Sequence, residues 1–96
     1  NALHDLMDRA VDQETASEIR EVILGTPGVL GVHDVRTRKM GDMILVDAHL
    51  EIESTATVNV GHDIALEARR RVMQRRDVLN VMTHVDPVNG LPAGTS

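Results

Sequence analysis

The chain's clearest pattern is a strict alternation over residues 43–53. Ile44, Val46, Ala48, Leu50 and Ile52 fall on one side of an extended segment, and Asp47, His49, Glu51 and Glu53 fall on the other. Successive strand side chains point to opposite faces, so Met43 to Glu53 is predicted as a strand with one buried face. Met43 and Leu45 interrupt the polar side at its start and leave a small apolar patch there. The preceding stretch, Val29 to Arg38, is rich in β-branched residues, and Lys39-Met40-Gly41-Asp42 supplies a hairpin turn. A third strand is predicted from Val78 to Asp86 and closed by Pro87. Its Leu79, Val81 and Val85 face the core, and Met82, His84 and Asp86 share the other side.

Two stretches instead follow the helical period. Ala16, Ile19, Val22 and Ile23 share one face of a helix. It starts at Asp12, or at Thr15, where Thr15-Ala16-Ser17-Glu18 has capping-box form. Glu14 and Glu18 suit the positive end of its dipole, and Gly25-Thr26-Pro27-Gly28 ends it. Thr57 caps a second helix running to about Arg76, with a narrow stripe of Gly61, Ile64, Ala65, Ala68 and Val72.

The order is therefore α-β-β-α-β. A right-handed crossover through the second helix makes the second and third strands parallel and adjacent. The predicted fold class is α+β, a ferredoxin-like (metallochaperone-like) sandwich with a three-stranded mixed sheet and two helices on one face. The sheet's other face is bare and carries histidines. Residues 1–11 read as a lead-in, 12–88 as the domain and 89–96 as a disordered tail. The start at Asn1, without a Met, reads as an excised piece of something longer.

Composition narrows the chemistry. Ninety-six residues make one domain with a modest core. Phe, Trp and Tyr are absent, so there is no platform for stacking nucleic-acid bases. Cys is absent too, which excludes disulfide scaffolds, thiolate metal sites and cysteine nucleophiles. A net charge of −5 argues against a general binder of phosphate backbones. No apolar run approaches the roughly 20 residues that span a bilayer. No Ser-His-Asp arrangement, nucleophile elbow, phosphate-cradling loop or dinucleotide fingerprint is present, so no enzyme is predicted.

Five histidines remain conspicuous. The strand alternation places His49, His84 and Asp86 on the bare face, and His33 joins them if its strand alternates Val29, Gly31, His33, Val35. His62 stands in the first turns of the second helix, and His4 lies in the lead-in. Imidazole with carboxylate suits Zn2+, and less selectively Fe2+, Co2+, Ni2+ or Mn2+. Asp86 has two oxygens and could bridge two ions. A lone strand histidine is ordinarily only solvated, and on the residues alone a metal site and a solvated sheet face stand level. Arg69, Arg70, Arg71, Arg75 and Arg76 complement a helix C-terminus and reach carboxylates such as Glu67, which is the favoured reading over a phosphate patch.

Several segments together resemble one family. They are Leu6-Met7-Asp8-Arg9-Ala10, Pro27-Gly28-Val29, Gly31-Val32-His33-Asp34-Val35-Arg36-Thr37-Arg38, Asp47-Ala48-His49-Leu50-Glu51-Ile52-Glu53, Gly61-His62 and His84-Val85-Asp86-Pro87. Over residues 3–88 the chain looks like the cytoplasmic C-terminal domain of cation diffusion facilitators, closest to the bacterial zinc/ferrous-iron efflux branch, which magnetosome iron-transport proteins also resemble. The resemblance implies a metal site at His33, His49, His62, His84 and Asp86, and a charge contact of Asp8 with the membrane domain. It implies Zn2+ first, with Fe2+, Co2+, Ni2+, Mn2+ and Cd2+ as alternatives.

The implied partners are a second copy, as a homodimer, and the chain's own transmembrane domain, with no nucleic acid and no small-molecule substrate. The implied location is the cytoplasmic face of a bacterial inner membrane or magnetosome membrane. The expected function is metal sensing and dimerisation for a proton-coupled exporter. The alternative is a purely structural dimerisation module with a weak or vacant site. Two further readings are an amino-acid-binding regulatory domain and a nucleic-acid or acidic-partner binder using the arginines.

Overall fold

The alternating segment becomes the centre of the sheet. A computed structural model describes residues 11–89, as α1 (Gln13–Leu24), β1 (Gly31–Met40), β2 (Met43–Glu53), α2 (Val58–Met73) and β3 (Val78–Val88). The strand order is β1-β2-β3, with β2 antiparallel to β1 and parallel to β3. Burial along β2 alternates without a break. Its buried residues join Val32, Val78 and Val81, with Ile19 and Ile23 of α1 and Ala65, Ala68 and Val72 of α2, in one apolar cluster. Both helices thus cover one sheet face, as the α-β-β-α-β reading expects. Each fully buried Ile or Leu contributes about 1.5–3 kcal/mol by leaving water.

The helix boundaries follow from local hydrogen bonds. Asp12 is the cap of α1, and its Oδ1 accepts from Thr15 N at 2.8 Å. Thr57 Oγ1 accepts from Val60 N at 3.1 Å and starts α2. That helix stops at Met73, short of Arg76. The amides of Gln74 and Arg75 turn back to the carbonyls of Arg71 and Val72, tightening the last turn. Gly25 caps α1 in right-handed conformation. The left-handed residue is Gly28, at φ 95°, where a Cβ would come within 2.6 Å of Ile64 Cδ1.

The strands depart from simple alternation in two places. In β3 the register passes from Ile44↔Val78 to Leu45↔Asn80. Leu79 is the extra residue and is exposed, so Val78 and Val81 hold the core positions expected of Leu79 and Val81. Val85 does share a face with Val81, opposite Leu50, but stands 43% exposed at the open end of the sheet. Pro87 does not end β3, which continues to Val88. β3 is an edge strand, where a missing N–H on the open side costs no ladder bond. In β1 the register shifts between His33 and Arg36, and Asp34 takes φ 54°. This bulge inserts one residue, so His33 and Arg36 lie on the same face although three apart.

Candidate metal centre

The bulge and the parallel pairing set the site. His33 lies opposite His49 on β2, and His49 lies opposite His84 on β3. Their rings stack in a row across the three strands, with centroids 5.2 Å apart for His33 and His49 and 4.6 Å for His49 and His84. Asp86, two residues beyond His84, shares this face by the period of two.

Asp86 is the point of convergence. Its Oδ2 lies 2.9 Å from His33 Nε2 and 3.1 Å from His49 Nδ1. His33, His49 and Asp86 each offer a ligand atom, all within 4.8 Å of one another. Two imidazole nitrogens and a carboxylate oxygen, with His33 exposed and His49 and Asp86 half-buried, are a donor set that fits Zn2+ and its neighbours.

Each histidine also meets a carboxylate. His33 Nδ1 is hydrogen-bonded to Glu51 Oε2 at 3.0 Å. His49 Nε2 is 3.9 Å from Asp34 Oδ2. His84 Nε2 approaches Asp47 Oδ1 to 2.7 Å. That oxygen is buried and has no aligned hydrogen-bond donor, so the contact is electrostatic in character. Arg36 Nε donates to Asp34 Oδ1 at 3.0 Å and holds the Asp34 carboxyl below its ordinary value.

Of the five ligands expected, three converge, and His84 extends the row one ring further. His62 does not join them. It lies exposed on α2, beside a groove lined by Ile52, Gly61, Val85 and Pro87 at the open end of the sheet. Asp8 and His4 lie outside the described residues. The sequence placed Asp47 and Glu51 on this face without showing that they pair with histidines. Asp34 had no signal, because a bulge leaves no mark on the alternation that precedes it.

The arginine run is held by the fold. Arg70 donates twice to Glu67, at 2.9 and 2.8 Å. Arg71 donates to the same carboxylate at 2.6 Å and to Gly25 O at 3.1 Å, tying α2 to the end of α1. Arg75 bridges Asp77 and Glu18, and Arg69 reaches Val81 O and Asn80 Oδ1. Arg69, Arg71 and Arg75 therefore cross-link elements, while Arg70 pairs within α2. No helix among the described residues is long and apolar enough to cross a membrane.

Three comparisons bear on this arrangement. The family described as "Cation efflux protein, cytoplasmic domain" matches residues 11–88. Cation-efflux pump FieF proteins of Escherichia coli and Shigella boydii are 33% identical over 91 residues, which is 95% of this chain. The chain spans 30% of the length of those relatives. Among solved structures, a MamM CTD variant in a cadmium form superposes with a TM-score of 0.77 at 22% identity, covering 80% of this chain and 98% of that one. Another MamM CTD structure gives 0.74 at 24%, covering 80% and 100%. These two likenesses bear on the fold.

Proposed function

The chain belongs to the cation efflux proteins, as their cytoplasmic domain, and on that premise we propose that it is the metal-sensing dimerisation domain of a proton-coupled divalent-cation exporter. The observation that carries this reading is the convergence of His33 Nε2 and His49 Nδ1 on Asp86 Oδ2. His33, His49, His84 and Asp86 hold the ion, with Zn2+ as the first candidate. His62 does not converge with them within one copy, which favours its delivery by a second copy. Export itself belongs to the membrane portion of the transporter, at whose cytoplasmic face this domain works.

The physical logic is electrostatic. The bare face carries Asp34, Asp47, Glu51, Glu53 and Asp86 against Arg36 and Arg38. Two such faces repel one another, and divalent cations bound between them remove that repulsion and draw the copies together. Binding weakens in acid, because a protonated imidazole cannot ligate. Calorimetry with Zn2+ on the wild type and on the double variant His84→Ala, Asp86→Ala tests the ligand set. The expected result is a loss of affinity, and equal affinities contradict it. Small-angle scattering should show compaction on adding Zn2+. No change in shape would remove the switch and leave binding intact. In the full-length transporter, Asp8→Ala is expected to lower export by breaking a charge contact with the membrane domain. Unchanged export would contradict that role.

A second reading, a structural dimerisation module, is favoured by one feature. His33, His49 and His84 each already meet a carboxylate within 3.1 Å, so the histidine row has partners without an ion. Under that reading micromolar metal alters neither shape nor melting temperature.

A further inference from the structure

Gly31 stands directly opposite Glu51 in the β1–β2 ladder. Its backbone does not need glycine, because the positive-φ glycines among the described residues are Gly28 and Gly41. Space is what it supplies. A Cβ built on Gly31 would lie 2.5 Å from Glu51 Oε1, so the carboxylate rests in the place a side chain would fill. From that place the other oxygen, Oε2, reaches His33 Nδ1 at 3.0 Å.

The chemistry of the ring then follows. A neutral imidazole has one N–H and one lone pair, and the hydrogen bond made by one nitrogen fixes the role of the other. The Nδ1–Glu51 contact has hydrogen-bond geometry, whereas the 2.9 Å approach of Nε2 to Asp86 Oδ2 is not aligned as one, so Nδ1 carries the N–H and Nε2 keeps the lone pair. Carboxylates that hold the second nitrogen of a ligating histidine orient the ring and raise its basicity.

We propose that Gly31 and Glu51 are positioning residues for His33: the missing side chain of Gly31 seats the Glu51 carboxylate, which holds the ring as the Nδ1–H tautomer with Nε2 aimed at the metal position. The consequence for metal affinity rests on the proposed ligand set, whereas the tautomer is a property of the metal-free protein. The clash at Gly31 involves only the far end of a flexible side chain. Gly31→Ala therefore displaces the carboxylate at little cost in folding, and alanine is no worse than glycine in a strand.

Long-range proton–nitrogen correlation spectra of the metal-free protein at about pH 8, above the ordinary imidazole range, read the tautomer directly. The wild type is expected to show His33 as Nδ1–H. Glu51→Ala and Gly31→Ala should both lose that preference, with the melting temperature of Gly31→Ala unchanged or raised. Glu51→Gln should keep it, since the amide oxygen still accepts from Nδ1. Zn2+ affinity should fall about 10–100-fold in the two alanine variants. An Nε2–H wild type, or a tautomer indifferent to both alanine substitutions, overturns the proposal. A wild type that shows the tautomer pattern but binds no Zn2+ supports the positioning and overturns the metal reading instead.

Discussion

The two faces of β2 are built on opposite principles within one strand. Toward the helices, Ile44, Val46, Ala48, Leu50 and Ile52 are each no more than 3% exposed, in a cluster without an ionisable group. Toward the open side, the intervening positions carry Asp47, His49, Glu51 and Glu53, all partly exposed. The first face gains from excluding water, and the second keeps charged groups wet enough to exist yet close enough to act together. Stability and chemistry are thereby separated by one residue along the same chain. A substitution should report on one face or the other according to its parity.

The same contrast divides two glycines. Gly28 sits in left-handed conformation with its α-carbon against Ile64, which packs on the core. Gly31 sits in ordinary conformation against the tip of Glu51. One glycine serves the fold, and the other is proposed to serve the histidines.

The largest expected effect is on the helix side. Leu50→Ala should destabilise by about 2–5 kcal/mol in chemical denaturation, because it opens a cavity at a fully buried site. Zn2+ binding per folded molecule should be unchanged. Gly28→Ala follows at about 1–3 kcal/mol, from strain at positive φ and the clash with Ile64. Thr57→Ala should cost about 1 kcal/mol through the lost cap of α2. On the open side, His49→Ala with Asp86→Ala should shift metal-free stability by no more than about 1 kcal/mol, the net worth of their hydrogen bond, while Zn2+ binding disappears in calorimetry. A large loss of stability there would break the separation of the faces.

The smallest effect lies outside both faces. Hydrogen bonds from Arg70 and then Arg71 hold the Glu67 carboxyl down to about 2, from an ordinary 4.5. A lowered carboxyl stabilises the fold above its ordinary value and loses that contribution as pH falls from about 4.5 towards 2. Glu67→Gln should flatten that part of an acid-denaturation curve. The flattening is partial, because Asp77, held low chiefly by its hydrogen bond from Arg75, acts in the same direction.

The sequence spoke most clearly where period and burial agree. β2 could be bounded at Met43 and Glu53 because its alternation is unbroken, and Thr57 marked the start of α2 because its hydroxyl is the cap. Leu79 and Asp34 were illegible for a shared reason. Each is the extra residue of a register shift, fixed by the partner strand, and neither is marked in the sequence by a glycine or proline beside it. For the site, the parity of His49, His84 and Asp86 was readable, and so was the conditional place of His33. The pairing of each histidine with a carboxylate was not, because it depends on cross-strand register and on the space over Gly31.

The most direct measurement is anomalous diffraction from a crystal soaked in Zn2+. The predicted result is a peak about 2.0–2.2 Å from His33 Nε2, His49 Nδ1 and an Asp86 oxygen. Peaks confined to other surface groups, with that position empty, would contradict it.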